Sequence, residues 1–155
     1  MPETSNNIQI PGFVRPAAKR SRNMAAIKSK DTKPEILVRR GLHREGFRFR
    51  LQRTVAGVRT DIILPKFKIA IFVNGCFWHG HDCKVAHIPK TNAAYWTAKI
   101  TRNKDRDEEN ANRLVEFGWR PETIWECRLS SDLKVLLKDL AVSRGIIGER
   151  ATTNN

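Results

Sequence analysis

The chain has 155 residues, 40% hydrophobic and 29% charged, which suits one soluble globular domain with a proper core. Lys and Arg outnumber Asp and Glu by 29 to 16, a formal net charge of +13 that favours a polyanionic partner, nucleic acid first. No apolar run of about 18 residues could span a bilayer, no basic helix with a broad apolar face suggests a membrane surface, and Met1–Asn7 lacks a signal-peptide core, so membrane and secreted classes are excluded and a reducing cytoplasm is expected.

Residues 1–18, with Pro2, Pro11, Gly12 and Pro16, read as a flexible arm ahead of a folded domain over 19–145 and a frayed tail over 146–155. The run Lys19-Arg20-Ser21-Arg22-Asn23-Met24-Ala25-Ala26-Ile27-Lys28 reads as a short basic helix or turn with an apolar patch, either a solvated face or a nucleic-acid contact. Thr32-x-x-Glu35 is a capping box with Pro34 in the first turn, and it predicts a helix to about Arg44 stopped by Gly46. Glu35 thus has a structural role already.

Phe47 to Leu51 alternates apolar and basic residues, the period of a half-buried strand, and Thr54 to Gly57 follows as a turn. Asp61-Ile62-Ile63-Leu64 and Lys68 to Val73 read as two strands joined at Pro65-Lys66. Asp61 is either a strand-edge aspartate in solvent or a metal ligand at the sheet edge.

Next comes Asn74-Gly75-Cys76-Phe77-Trp78-His79-Gly80-His81-Asp82-Cys83, which holds two of the three cysteines and two of the four histidines. Cys76-x4-His81-x-Cys83 supplies three zinc-type ligands, and Cys127, far along the chain, is the remaining cysteine. Buried core thiols are the competing reading, but Gly75, Gly80, His81 and Asp82 are poor core neighbours. An odd cysteine count argues against a disulfide framework. A polar helix is predicted from about Asn92 to Phe117, ending at Gly118, then a strand over Trp119–Trp125 and a helix from Ser131 to about Arg144 with Ser130 or Ser131 as cap. That order fits an α/β fold, one mixed sheet flanked by helices.

The segments Arg20–Met24, Ser29–Glu35, Arg59–Asp61, Gly75-Cys76-Phe77-Trp78-His79 and Trp125-Glu126-Cys127 occur in the order and at spacings similar to those of very short patch repair (Vsr) endonucleases. The resemblance covers about residues 18–143. It implies a restriction-endonuclease-like fold with a structural zinc on Cys76, His81, Cys83 and Cys127. It also implies magnesium-dependent nicking of one strand of double-stranded DNA at a T:G mismatch, the product of 5-methylcytosine deamination. Asp61 falls on the family's magnesium-binding aspartate, with the Val73 carbonyl completing that site. His79 falls on its catalytic histidine, and Asp107 and Glu35 on acidic positions near the active site. Phe77, Trp78 and Trp96 match aromatic wedges beside the mismatch, and Met24 and Ile27 an N-terminal element entering from the opposite groove. Asn74 stands where the family often has histidine and cannot shuttle a proton near neutral pH; Thr60 stands where proline usually precedes the aspartate. The expected setting is a bacterial, nucleoid-associated monomer in the cytoplasm, away from membranes, working alongside a cytosine-5 DNA methyltransferase. The residues leave two alternatives: a non-catalytic zinc-stabilised DNA-binding module, and a restriction nuclease cutting both strands.

Overall fold

The computed structural model describes Val14, Ala17, Ala18 and residues 29–152, with side chains to Ile146. The basic run at 19–28, with Met24 and Ile27, lies outside the described residues. Helix α1 (Lys33–Arg44) begins as its sequence predicts: the Thr32 side chain accepts the Glu35 N–H at 3.4 Å. The box is not reciprocal, because the Glu35 carboxylate accepts from Asp31 N–H (3.0 Å) instead of the Thr32 N–H. The chain turns at Glu45-Gly46 and enters the sheet.

Among the described residues six strands follow in the order β1 (Arg50–Leu51), β2 (Thr54–Val55), β3 (Val58–Arg59), β4 (Ile62–Leu64), β5 (Ile69–Asn74) and β6 (Arg120–Trp125). The main sheet runs β1-β4-β5-β6, antiparallel except for the parallel β5–β6 pair. Helix α2 (Ala93–Glu116) supplies the crossover that a parallel pair requires, and α3 (Leu129–Thr152) closes the chain. Pro121 is tolerated because β6 is an edge strand.

Alternation along β4 and β5 sorts the core onto two faces. Ile62, Leu64, Ile69 and Ile71 pack with Val38 and Leu42 of α1 and Leu133, Leu136 and Leu140 of α3. Ile63 and Ala70 turn the other way, toward Val58 and Leu114 of α2. The result is helix, sheet, helix: the mixed sheet flanked by helices that the element order predicts. Helices α1 and α3 approach closely at Gly41, where an added Cβ would stand 2.7 Å from Leu133 Cδ2.

Three elements differ from expectation. The strand expected over Phe47–Leu51 pairs only at Arg50–Leu51, because Ile62 and Ile63 are its sole register partners. The expected turn at Thr54–Gly57 is a small β2–β3 hairpin, with Ala56 (φ 51) and Gly57 (φ 77) at its tip. The last helix begins at Leu129, directly from a 3-10 turn over Glu126–Arg128, so no serine caps it; Ser131 Oγ donates back to the Arg128 carbonyl. It also continues past Arg144, since one interior glycine such as Gly145 costs only about 1 kcal/mol. No helix among the described residues is long and apolar enough to cross a membrane.

Candidate active site and metal centre

Asp61 sits immediately before β4, its backbone fixed from both sides. Its carbonyl accepts the Gln52 N–H at 2.9 Å, and the buried Thr60 hydroxyl donates to the Arg53 carbonyl at 2.7 Å. The side chain reaches across to β5, where its Oδ2 accepts the Val73 N–H at 2.9 Å. Asp61 and the Val73 backbone are therefore neighbours. Burial pushes the Asp61 carboxyl up, and the Val73 N–H, His79, Arg39 and Arg59 pull against it.

Glu35, on the first turn of α1, is 3% exposed. Burial and then the Asp61 charge push its carboxyl up; the Asp31 N–H, Arg39 and Thr32 oppose them. Arg39 bridges Glu35 (3.0 Å) and Asp31 (2.7 Å) and adds a positive charge behind the carboxylate pair.

His79 belongs to a separate hydrogen bond. Its Nδ1 lies 2.5 Å from Asp107 Oδ2, contributed by α2, and both groups are partly exposed. With Nδ1 on the carboxylate, Nε2 is the ring nitrogen left to take a proton. One turn earlier on α2, Asn103 Nδ2 donates to the Trp78 carbonyl at 2.8 Å, fixing the segment that carries His79.

The four expected zinc ligands converge. The ligand atoms of Cys76, His81, Cys83 and Cys127 all lie within 4.8 Å of one another. Parallel pairing explains half of this: Asn74 and Trp125 are register partners, and Cys76 and Cys127 follow each by two residues. The loop supplies the other two ligands. At Gly80 (φ 61) it presses on α2 so closely that a Cβ would meet Ile100 Cγ2 at 2.7 Å. His81 stacks on Trp125 with centroids 4.2 Å apart, and its Nδ1 lies 3.4 Å from Cys127 Sγ. Burial pushes the Cys76 thiol up to about 11. At Cys83 desolvation is outweighed by hydrogen bonds with His81 and the Ala86 and Val85 backbone, and the thiol comes down to about 7. Three soft sulfurs and one imidazole at this separation fit a tetrahedral zinc ion, which would hold the thiols deprotonated.

Phe77, Trp78 and Trp96 form a half-buried triad with centroids 5.0 to 5.9 Å apart, all edge to face. Lys99 lies 5.5 Å from the Trp78 ring and 5.9 Å from Tyr95 and Trp96. The triad stands beside His79 in sequence, so the aromatic and acid–base groups share one end of the molecule. Asn74 is buried at the last position of β5.

Sequence reasoning missed Arg39, Asn103, Lys99 and Asn92. Lys99 was open to discovery, being three and four residues from Trp96 and Tyr95 on one helix. Asn92 was not. Its side chain pairs with the backbone of Val14, accepting the N–H at 2.8 Å and donating to the carbonyl at 2.7 Å, a contact across 78 residues.

A family model described as DNA mismatch endonuclease Vsr matches residues 14–85. The type II nicking enzyme V.NmeAIP of Neisseria meningitidis is 45% identical over 114 residues, covering 74% of this chain and 81% of that protein. The DNA mismatch endonuclease Vsr of Escherichia coli is 36% identical over 137 residues, covering 87% of this chain and 88% of that one. Among solved structures, the catalytic domain of homing endonuclease I-Bth0305I aligns with a TM-score of 0.47 at 22% identity, over 72% of this chain and 92% of that one.

Proposed function

The chain belongs to the DNA mismatch endonuclease Vsr family, and from that premise we propose that it hydrolyses one phosphodiester of duplex DNA at a T:G mismatch in the presence of magnesium. The observation that carries the chemistry is the His79–Asp107 pair, which keeps a histidine out of the Cys/His cluster and hydrogen-bonded to a carboxylate. A non-catalytic zinc module has no use for that pair or for the Asp61 carboxylate. Cutting of both strands has less support, since V.NmeAIP is named a nicking enzyme.

His79 Nε2 takes the proton of the attacking water, and Asp107 steadies the imidazolium that results. Asp61, just before the interior strand β4, and Glu35 of α1 present hard oxygen donors, joined in this reading by the Val73 carbonyl. The fit to a divalent cation rests on electrostatics: the Val73 N–H engages one Asp61 oxygen only, and the Asp61 charge raises Glu35, a repulsion that a cation relieves. Magnesium, when bound there, would neutralise charge on the phosphoryl oxygens. Asn74 would hold water by hydrogen bonding and move no proton.

Phe77, Trp78 and Trp96 wedge into the base stack, and a mismatched step yields more cheaply than a paired one. Met24 and Ile27 are assigned to the opposite groove on family resemblance alone. Zinc, when bound by Cys76, His81, Cys83 and Cys127, would hold the loop. The substrate is the lesion left by 5-methylcytosine deamination, and in this reading the enzyme acts as a cytoplasmic monomer on the nucleoid, beside a cytosine-5 DNA methyltransferase. Incubating the protein with magnesium and a T:G duplex labelled on each strand in turn tests this. One labelled strand should be cut, with the matched duplex intact; equal cutting of both duplexes refutes mismatch recognition.

A further inference from the structure

The end of the sheet opposite Asp61 holds a groove of about 940 Å³ between the Phe47–Arg50 segment and the Pro65–Phe67 turn, with Arg144 of α3 on its wall. Its floor is aromatic: Phe47 is buried, and Phe67 meets it edge-on at 5.8 Å. Its rim is cationic, for Arg48, Arg50, Lys66 and Arg144 are exposed, and no acidic side chain lines it among the described residues. The sheet also ends here. β1 is the edge strand, and Arg48 and Phe49 precede it outside the ladder.

We propose that this groove binds an acidic segment of a partner protein, laid in extended form beside β1 with its carboxylates on Arg48, Arg50 and Lys66. Residues 48 and 50 share one side of an extended chain, while Phe47 and Phe49 pack on the core. Two arginines at that spacing match carboxylates at every second position of a facing strand, and the free edge supplies backbone hydrogen bonds.

Other occupants fit less well. A second copy of this chain brings another +13 of like charge. Bases of a single strand need open aromatic faces, and Arg144 covers Phe47 at 4.3 Å from the ring centroid. A duplex would match the cationic rim but brings no peptide N–H or C=O for the open backbone edge of β1. None of these points rests on the proposed function, so the titration that follows and the nicking assay fail separately.

A fluorescent peptide of alternating glutamate and valine is titrated into the protein, beside its glutamine counterpart, an oligothymidylate and a matched duplex. The acidic peptide should bind and shift amide resonances around Phe47–Leu51 and Pro65–Phe67. Arg48→Glu with Arg50→Glu should weaken it roughly tenfold or more, as for loss of paired interface charges, with nicking and melting temperature unchanged. Lys66→Glu, in an exposed turn, provides a second variant should the double one fold poorly. Equal binding of the glutamine peptide overturns the proposal. So does displacement of the acidic peptide by oligothymidylate or by the matched duplex, which would make the groove a nucleic-acid surface.

Discussion

Burial pushes the Asp61 carboxyl up against the pull of the Val73 N–H, His79, Arg39 and Arg59, so the fold holds its ionised form at a net cost. The linkage has a definite sign. Below the unfolded value the residue is protonated in both states and the raised folded value contributes fully to stability. That contribution is lost as pH rises through the folded value. Asp61→Asn removes the charge and keeps an oxygen for the Val73 N–H. The variant should therefore melt above the parent at neutral pH, and the two curves should converge below the carboxylate range. Nicking should disappear, a trade of stability against function. A variant that melts lower at neutral pH contradicts the burial argument. His79 offers a cleaner separation, since its ring bonds Asp107 and belongs to no ligand set. His79→Ala should slow nicking by on the order of 10²–10⁴-fold, the usual worth of a general base, with zinc content unchanged on metal analysis. Zinc loss would move His79 into the structural cluster.

At the scale of elements, parallel β5 and β6 bring Cys76 and Cys127 together, and the loop closes the set with His81 and Cys83. A zinc ion there would bind the loop to the end of a strand remote in sequence. Cys127→Ala should leave less than about one zinc per chain and lower the melting temperature. Each 1 kcal/mol shifts a chain this size by roughly 2–4 °C, so a drop beyond about 5 °C is expected on calorimetry. Full zinc occupancy in the variant would remove Cys127 from the set. This cluster was legible because so many soft ligands and rings fall in ten residues, helix α1 because its Thr32 cap and Gly46 stop are local, and α2 because of its Gly118 stop. The His79–Asp107 pair carried no spacing signal, joining a loop to a helix 28 residues on, and rested on family resemblance alone. The β2–β3 hairpin has two-residue strands, too short for any periodicity to register. Gly41 and Asn92 were hidden for another reason: one permits the α1–α3 approach and the other ties Val14 to the start of α2, and both partners are remote in sequence.

On the scale of the whole molecule, binding should divide into two parts with different salt dependence. A net charge of +13 gives a sequence-independent grip on phosphates, and its affinity should fall with salt at a slope near −0.9 per phosphate neutralised. In the proposed function the aromatic triad would contribute the selective part, exchanging base stacking for side-chain stacking at about 1–3 kcal/mol per base and with little salt dependence. Trp78 separates the two. It is half-buried, touches Phe77 at 5.0 Å and Trp96 at 5.9 Å, and its carbonyl is anchored by Asn103 independently of its ring. Trp78→Ala should therefore shrink the preference for a T:G duplex over a matched one while leaving the salt slope unchanged. If Trp78 instead serves only to pack the loop on α2, the variant loses melting temperature and binds both duplexes equally worse. Affinities for both duplexes across a salt series, set beside a melting curve, distinguish these outcomes. An unaltered mismatch preference removes Trp78 from recognition, because the salt-dependent grip cannot tell one base pair from another.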